Sequence, residues 1–228
     1  ERYFETNVAL EKSLNARKDE VKTAELRAIT NMARVTSVIQ NRQLGLGHAV
    51  LVAKDKIGDE PFAVFLPDDI IWGEKPTIRS MIEQFLSTGE NVIAVKEVAD
   101  PDVPFLGIVD ARAVSDREYL VNDMVEKPSL EETPSNLAII GRYVLSPVVF
   151  DILANIEPGA VGEIQLTDAI KKMIITPGVR AYKFPGRHFD VGTPLGLLKA
   201  SIFEALQRAD TKDEITAWMK TTISEHYC

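Results

Sequence analysis

Cysteine is nearly missing from this 228-residue chain: one residue, Cys228, the last in the sequence. A lone thiol excludes a disulfide scaffold and a cysteine zinc site, and three histidines add little toward a zinc centre. No apolar run approaches the roughly twenty residues needed to cross a bilayer, so no membrane partner is expected. The sequence opens at Glu1 rather than Met, without a charged-then-apolar leader, and the cytoplasm is the expected compartment. Basic charge is also short. Twenty-six Lys and Arg against 34 Asp and Glu leave a net charge of −8, which argues against a chain that coats nucleic-acid phosphates. A small phosphorylated ligand in one local basic pocket is still allowed. There is no G-x-G-x-x-G pattern, no Walker loop and no serine in a nucleophile elbow.

What is present suits a water-soluble globule: 45% apolar and 26% charged residues, enough to bury a sizeable core. Asn7 caps an expected helix carrying Val8, Leu10 and Leu14, and a second follows with Val21, Ala24 and Ala28. Val35–Gln40 reads as a strand from its β-branched content. Gly45-Leu46-Gly47 starts a helix, and Phe62–Leu66 is continuously apolar, as expected of a strand buried on both faces. Ile78, Met81, Ile82 and Phe85 form a helical stripe closed by Gly89. Strands are expected at Asn91–Val98, Gly107–Asp110, Tyr119–Val125, Leu137–Leu145 and Arg180–Phe184, with helices after Pro147 and over Leu166–Ile175. From Leu195 the chain is helical, with Leu197, Leu198, Ile202 and Leu206 as the core face. The alternation predicts an α/β fold with a mixed, mostly parallel sheet flanked by helices and a helical C-terminal tail.

Ligands of open α/β sheets bind beyond the carboxyl ends of strands, which directs attention to four places. Gln40 with Gly45-Leu46-Gly47-His48 offers an amide for a nucleobase edge and a backbone that a flat ring or phosphate can approach; it reads equally as a helix start needing positive φ. Leu66-Pro67-Asp68-Asp69 puts carboxylates at a strand end, where Mg²⁺ is commonly held, and is also good turn chemistry. Val125-Glu126-Lys127-Pro128 offers a phosphate-binding ammonium and an acceptor for sugar hydroxyls, or an ordinary surface pair. Asp190, before Gly192-Thr193-Pro194, supplies a second carboxylate for the same cation, while Thr193 caps the next helix.

Taken in order, Gln40, Leu44–Val50, Leu66–Asp69, Val125–Pro128, Ile140–Leu145, Gly162–Ala169 and Phe189–Gly192 resemble the bacterial UTP–glucose-1-phosphate uridylyltransferases, or UDP-glucose pyrophosphorylases, from the opening helices to about Ala200. The resemblance implies a Rossmann-like nucleotidyltransferase domain over residues 1–200 and a C-terminal helical segment over 201–228 for packing or oligomerisation. It implies that Gln40 and the Gly45 backbone contact uracil, and that Asp68 and Asp190 hold Mg²⁺. It further implies that Glu126 and the Gly107 backbone bind glucose hydroxyls, with Lys127 on the sugar phosphate. Leu106 departs from the aromatic that often precedes that glycine. Nothing in Glu1–Ile39 matches the family's Gly-rich strand–loop–helix, so the expectation is a truncated, cleaved or incompletely represented chain without appreciable turnover of its own.

The implied chemistry is in-line attack of a glucose 1-phosphate oxygen on the α-phosphate of UTP, releasing pyrophosphate and forming UDP-glucose. Lys127 and Asp68 are the residues expected to carry it, in a homodimer or homotetramer. The alternatives are thymidylyl, adenylyl or guanylyl transfer by a related sugar-1-phosphate nucleotidyltransferase, or a non-catalytic nucleotide-sugar-binding subunit.

Overall fold

The computed structural model describes residues 7–159 and 162–227, with the side chains of 226 and 227 excepted; Cys228 lies outside them. The chain forms two compact units, residues 1–42 and 43–228.

In the first unit, α1 (Val8–Ala16) and α2 (Glu20–Met32) each begin with the side-chain cap expected of a helix N-terminus. Asn7 Oδ1 accepts from the Leu10 N–H at 3.0 Å and Asp19 Oδ1 from the Lys22 N–H at 3.1 Å. Lys18, in the left-handed region at φ 54°, turns the chain between them. Arg27 reaches back to Glu11, Nε to Oε1 2.6 Å. The strand expected at Val35–Gln40 does not form. β-branched residues favour strands through packing against a paired neighbour, and this stretch joins no ladder among the described residues.

The second unit opens with α3 (Leu46–Leu51) and α4 (Lys54–Ile57), then β1 (Phe62–Phe65) and β2 (Asp69–Trp72). α5 (Thr77–Thr88) leads to β3 (Asn91–Glu97), and a short 3₁₀ turn to β4 (Gly107–Ala113), β5 (Glu118–Glu126) and β6 (Leu137–Leu145). α6 (Val148–Ala154), α7 (Leu166–Met173), β7 (Val179–Lys183), β8 (Arg187–Asp190), α8 (Pro194–Gln207) and α9 (Lys212–Tyr227) complete it. Six strands form one sheet in the order β1-β6-β3-β7-β5-β4, and β2 pairs β8 in a separate ribbon.

The sheet is mixed. β1 and β3 both run antiparallel to β6, β7 runs parallel to β3, and β5 opposes both β7 and β4. Four of the six strands (β1, β3, β4 and β7) therefore point one way. Only the β3–β7 ladder is parallel, however, because β5 and β6 thread between like-directed strands.

β3 and β6 are the strands buried on both faces. Ile93 and Val95 face a large cluster containing Val109, Met124, Phe150, Leu153, Ile170 and Met173. Val92 and Ala94, one residue out of phase, face Met81, Ile140, Tyr182 and Phe184. β1 is instead an edge strand: Phe62 and Val64 pack inward while Ala63 and Phe65 are exposed. Its apolar run arises from a different cause at each alternate position, since the Arg142 guanidinium stands 4.7 Å above the Phe65 ring.

α5 buries Met81 fully and ends at Gly89, in the left-handed region at φ 73°, whose N–H reaches Phe85 O at 2.8 Å. α8 departs from expectation. Leu197 and Leu198 are more than half exposed, and the helix packs instead through Ala200 and through Phe203, which meets Trp72 and Phe189. Phe150 is 1% exposed and stacks on Phe62 at 5.0 Å. Phe150→Ala should therefore cost about 3–5 kcal/mol, read as a lower urea midpoint with an unchanged denaturant slope.

Candidate active site

β1 and β3 run the same way, and a cleft of about 940 Å³ opens beyond their carboxyl ends. Leu66, Asp68 and Asp69 enter it after β1, Lys96 and Val98 at the end of β3, and Ile139–Gly141 from the middle of β6. Gly107, Glu126 and Lys127 line its far wall, while His188, Asp190, Thr193 and Lys199 close it from β8 and α8.

The two adjacent aspartates have different fates. Asp69 starts β2, directly across the ribbon from Asp190. Its Oδ2 accepts from the Gly141 N–H at 3.0 Å, and its Oδ1 contacts His188 Nε2. Arg142 Nη2 donates to the Asp69 carbonyl, and Nη1 to the carbonyls of Leu66 (2.9 Å) and Gly141 (2.8 Å). Burial lowers the guanidinium's pKa while Asp69 and Asp68 raise it; Arg is nonetheless charged at any ordinary pH. Asp68, by contrast, is exposed, and its carbonyl accepts from the Val191 N–H at 2.7 Å.

Asp190 is exposed as well, its Oδ1 accepting from the Gly192 N–H at 2.9 Å. A Cβ built on Gly192 would sit 3.1 Å from Asp190 Oδ1 and 3.4 Å from Asp68 Oδ2. The missing side chain leaves open space between the two carboxylates. Among the described residues no group of three or more Asp, Glu, His or Cys gathers to hold a metal. A cation at this space would take two protein oxygens and complete its shell from water and ligand oxygens, as Mg²⁺ does.

On the opposite wall, Gly107 pairs with Glu126 across β4 and β5. Thr167 at the start of α7 donates its hydroxyl to Glu126 Oε2 at 2.7 Å. A Cβ at Gly107 would come within 3.1 Å of that same oxygen, so a glycine is needed where this carboxylate leans in. Lys127 has φ 50°, uncommon for a side-chain-bearing residue, and its N–H donates to Leu106 O at 3.0 Å. The turn leaves the ammonium exposed beside the cleft. Lys96 and Lys199 also line it, among the carboxylates of Asp68, Asp69, Asp102, Glu126 and Asp190. The buried Tyr143 phenol is pushed above its ordinary pKa by burial first, then by Glu126, Asp69 and Asp68.

Asp68, Gly107, Glu126, Lys127 and Asp190 thus converge on one cleft. Gly45 stands at φ 89° as the residue before α3. The Gly45–Gly47 turn is shaped by a neighbouring strand of backbone: Gly47 N donates to Ile164 O at 2.8 Å, and Ile164 N to Leu44 O at 2.7 Å. A Cβ on Gly45 would fall 2.9 Å from Glu163 Cβ, so these two glycine-bearing motifs fit each other. Gln40 belongs to the first unit.

Sequence reasoning assigned no task to His188, Arg142 or Thr167. His188 had one signal: two residues before Asp190 on a strand, it must share that residue's face. Gly141 is the tightest point of the network, since a Cβ there would overlap Asp69 Oδ2 and lie 2.6 Å from Leu66 Cβ. Gly141→Ala is expected to destabilise the protein by about 1–3 kcal/mol, seen as a lowered melting temperature.

Comparison with known proteins first sets the class. The family described as "Nucleotidyl transferase" matches residues 9–207. A UTP–glucose-1-phosphate uridylyltransferase of Staphylococcus saprophyticus is 43% identical over 220 residues, 96% of this chain and 76% of that protein. One from Staphylococcus epidermidis is 44% identical over 191 residues, 84% of this chain and 66% of the relative. The crystal structure of a UDP-glucose pyrophosphorylase complexed with UDP-glucose superposes with a TM-score of 0.80 at 36% identity, covering 91% of this chain and 76% of that one. A UTP-bound enzyme from Acinetobacter baumannii gives 0.87 at 37%, over 95% and 76%. The chain belongs to the nucleotidyl transferase family, and within it to the UTP–glucose-1-phosphate uridylyltransferases.

Proposed function

We propose that the protein transfers the uridylyl group of UTP to glucose 1-phosphate, forming UDP-glucose and pyrophosphate. The reading is carried by one observation: an ammonium, two exposed carboxylates and the wall made by Gly107, Glu126 and Thr167 meet in a single cleft beyond the ends of β1 and β3. The relatives named for this reaction supply its direction.

In this reading Lys127 grips the sugar phosphate, and Glu126, held by Thr167, accepts from glucose hydroxyls beside the Gly107 backbone. The Gly45 backbone reads uracil. A phosphate monoester with a second pKa of about 6 is already mostly ionised at neutral pH, so no general base is required. What the protein must do is align two polyanions and offset their repulsion. Asp68 and Asp190 would hold Mg²⁺ across the space at Gly192, and the ion would supply charge neutralisation on the nucleotide phosphates. We also assign the protein to the cytoplasm. Trp218 and Ile223 of α9, both more than half exposed, make α9 the surface offered for the proposed homodimer or homotetramer. No described helix is long and apolar enough to cross a membrane.

Pyrophosphate release by the full-length protein with glucose 1-phosphate and each of four nucleoside triphosphates tests the reaction: UTP should lead. Under the same conditions Lys127→Ala is expected to lower kcat by about 10²–10³ with unchanged melting, and equal turnover in this variant would refute its assignment. A separate measurement addresses the cation. Gly192→Ala fills the space between the carboxylates, so the Mg²⁺-dependent rise in melting temperature should need at least about tenfold more Mg²⁺. The metal-free melting temperature should stay the same.

A further inference from the structure

The β2–β8 ribbon has two ends. One carries Asp69 opposite Asp190; the other carries Trp72 opposite Arg187, and beside it lies a second cavity of about 650 Å³. Its size falls within the range of small-molecule sites. Lys75, Arg117 and Arg187 line it, against a single carboxylate, Glu74. None of the three cations has an ion-pair partner among the described residues. Arg187 lies 5.0 Å over the Phe203 ring, which orients its guanidinium without neutralising it.

The first turn of α5 opens into the same cavity through Thr77 and Ser80. The residue before that helix is Pro76, which has no side chain able to cap it; the Arg79 N–H already donates to Pro76 O at 3.0 Å, so the N–H groups of Thr77 and Ile78 and the positive end of the helix are left for a ligand. Thr77 is a second, independent sign. It is 92% buried, lines the cavity, and its hydroxyl has no hydrogen-bond partner among the described residues. Among the described residues the sealed side-chain atoms without a partner belong to Gln84 and Ser146, so the Thr77 hydroxyl is open to the cavity, where it can donate to or accept from an occupant. Trp72 adds an indole, 39% exposed, at the cavity wall.

We infer that this second cavity is a binding site for a nucleoside phosphate, separate from the catalytic cleft. Its phosphates sit at the start of α5 between Lys75, Arg117 and Arg187, and its ring lies against Trp72. The shared chemistry of candidate ligands is phosphate; the indole favours those that also carry a base.

Trp72 and Trp218 are the two tryptophans of the chain, and neither lines the catalytic cleft. In full-length protein carrying Trp218→Phe, the emission of Trp72 reports on this cavity alone. UDP should quench it saturably, and inorganic pyrophosphate should compete but bind at least about fivefold more weakly. Arg117→Ala combined with Lys75→Ala should raise the UDP concentration for half-quenching more than tenfold. Thr77→Val, nearly isosteric, should raise it several-fold, while Lys127→Ala should leave it unchanged. Three results would overturn the inference: no saturable quenching, quenching that survives the double variant, or quenching abolished by Lys127→Ala. Pyrophosphate binding as tightly as UDP would overturn the part assigned to the base.

Discussion

The carboxylate of Asp69 is the joint on which the site is assembled. One oxygen takes the Gly141 N–H from the central strand β6, the other meets His188 on β8, and the residue's own carbonyl is held by Arg142. Three pieces of chain distant in sequence are fixed at one residue. A half-buried carboxylate earns its place only when its oxygens are hydrogen-bonded, and here the groups that satisfy it are also those that position the ribbon against the sheet. The neighbouring Asp68 is thereby pointed outward with its carboxylate unspent.

That division of labour leaves charged side chains in the cleft of a chain whose core is dense with aliphatic ones. The glycines enforce it. At Gly107 and Gly192 the absent Cβ leaves room beside an acidic oxygen, and at Gly45 and Gly47 it admits the backbone around Ile164. Lys127, held at positive φ by the bond from its N–H to Leu106 O, brings positive charge to the opposite wall. The lysines of the cleft stand among carboxylates, so their positive charge is placed at particular points of the wall rather than spread over it.

Much of this was legible in the amino-acid order. Residues at strand ends are where α/β sheets hold ligands; that rule singled out Asp68, Glu126 and Lys127, the Gly-Thr turn singled out Asp190, and all four line the cleft. Helix boundaries marked by Asn7, Gly89 and Thr193 also followed from capping chemistry. The failures share a cause. Phe62–Leu66 and Val35–Gln40 have similar local character, yet one is an edge strand and the other joins no ladder, because pairing depends on which distant strand arrives alongside. Leu197 and Leu198 are periodic but exposed, since the face a helix buries is chosen by its neighbours. His188 and Arg142 act through partners more than seventy residues away, a separation that no local pattern encodes.

The ribbon made by β2 and β8 stands apart from the main sheet, and that isolation has an evolutionary corollary. The spacing between the two outward aspartates is set by a four-residue ladder and the turn at Gly192, not by the packing of the hydrophobic interior. Core side chains can drift and repack without retuning that gap. A one-residue insertion in either ribbon strand, however, would turn the residues on one side of it to the other face and break their register with the partner strand. Selection should thus tolerate wide variation in the aliphatic interior while holding the length of this small two-stranded element constant.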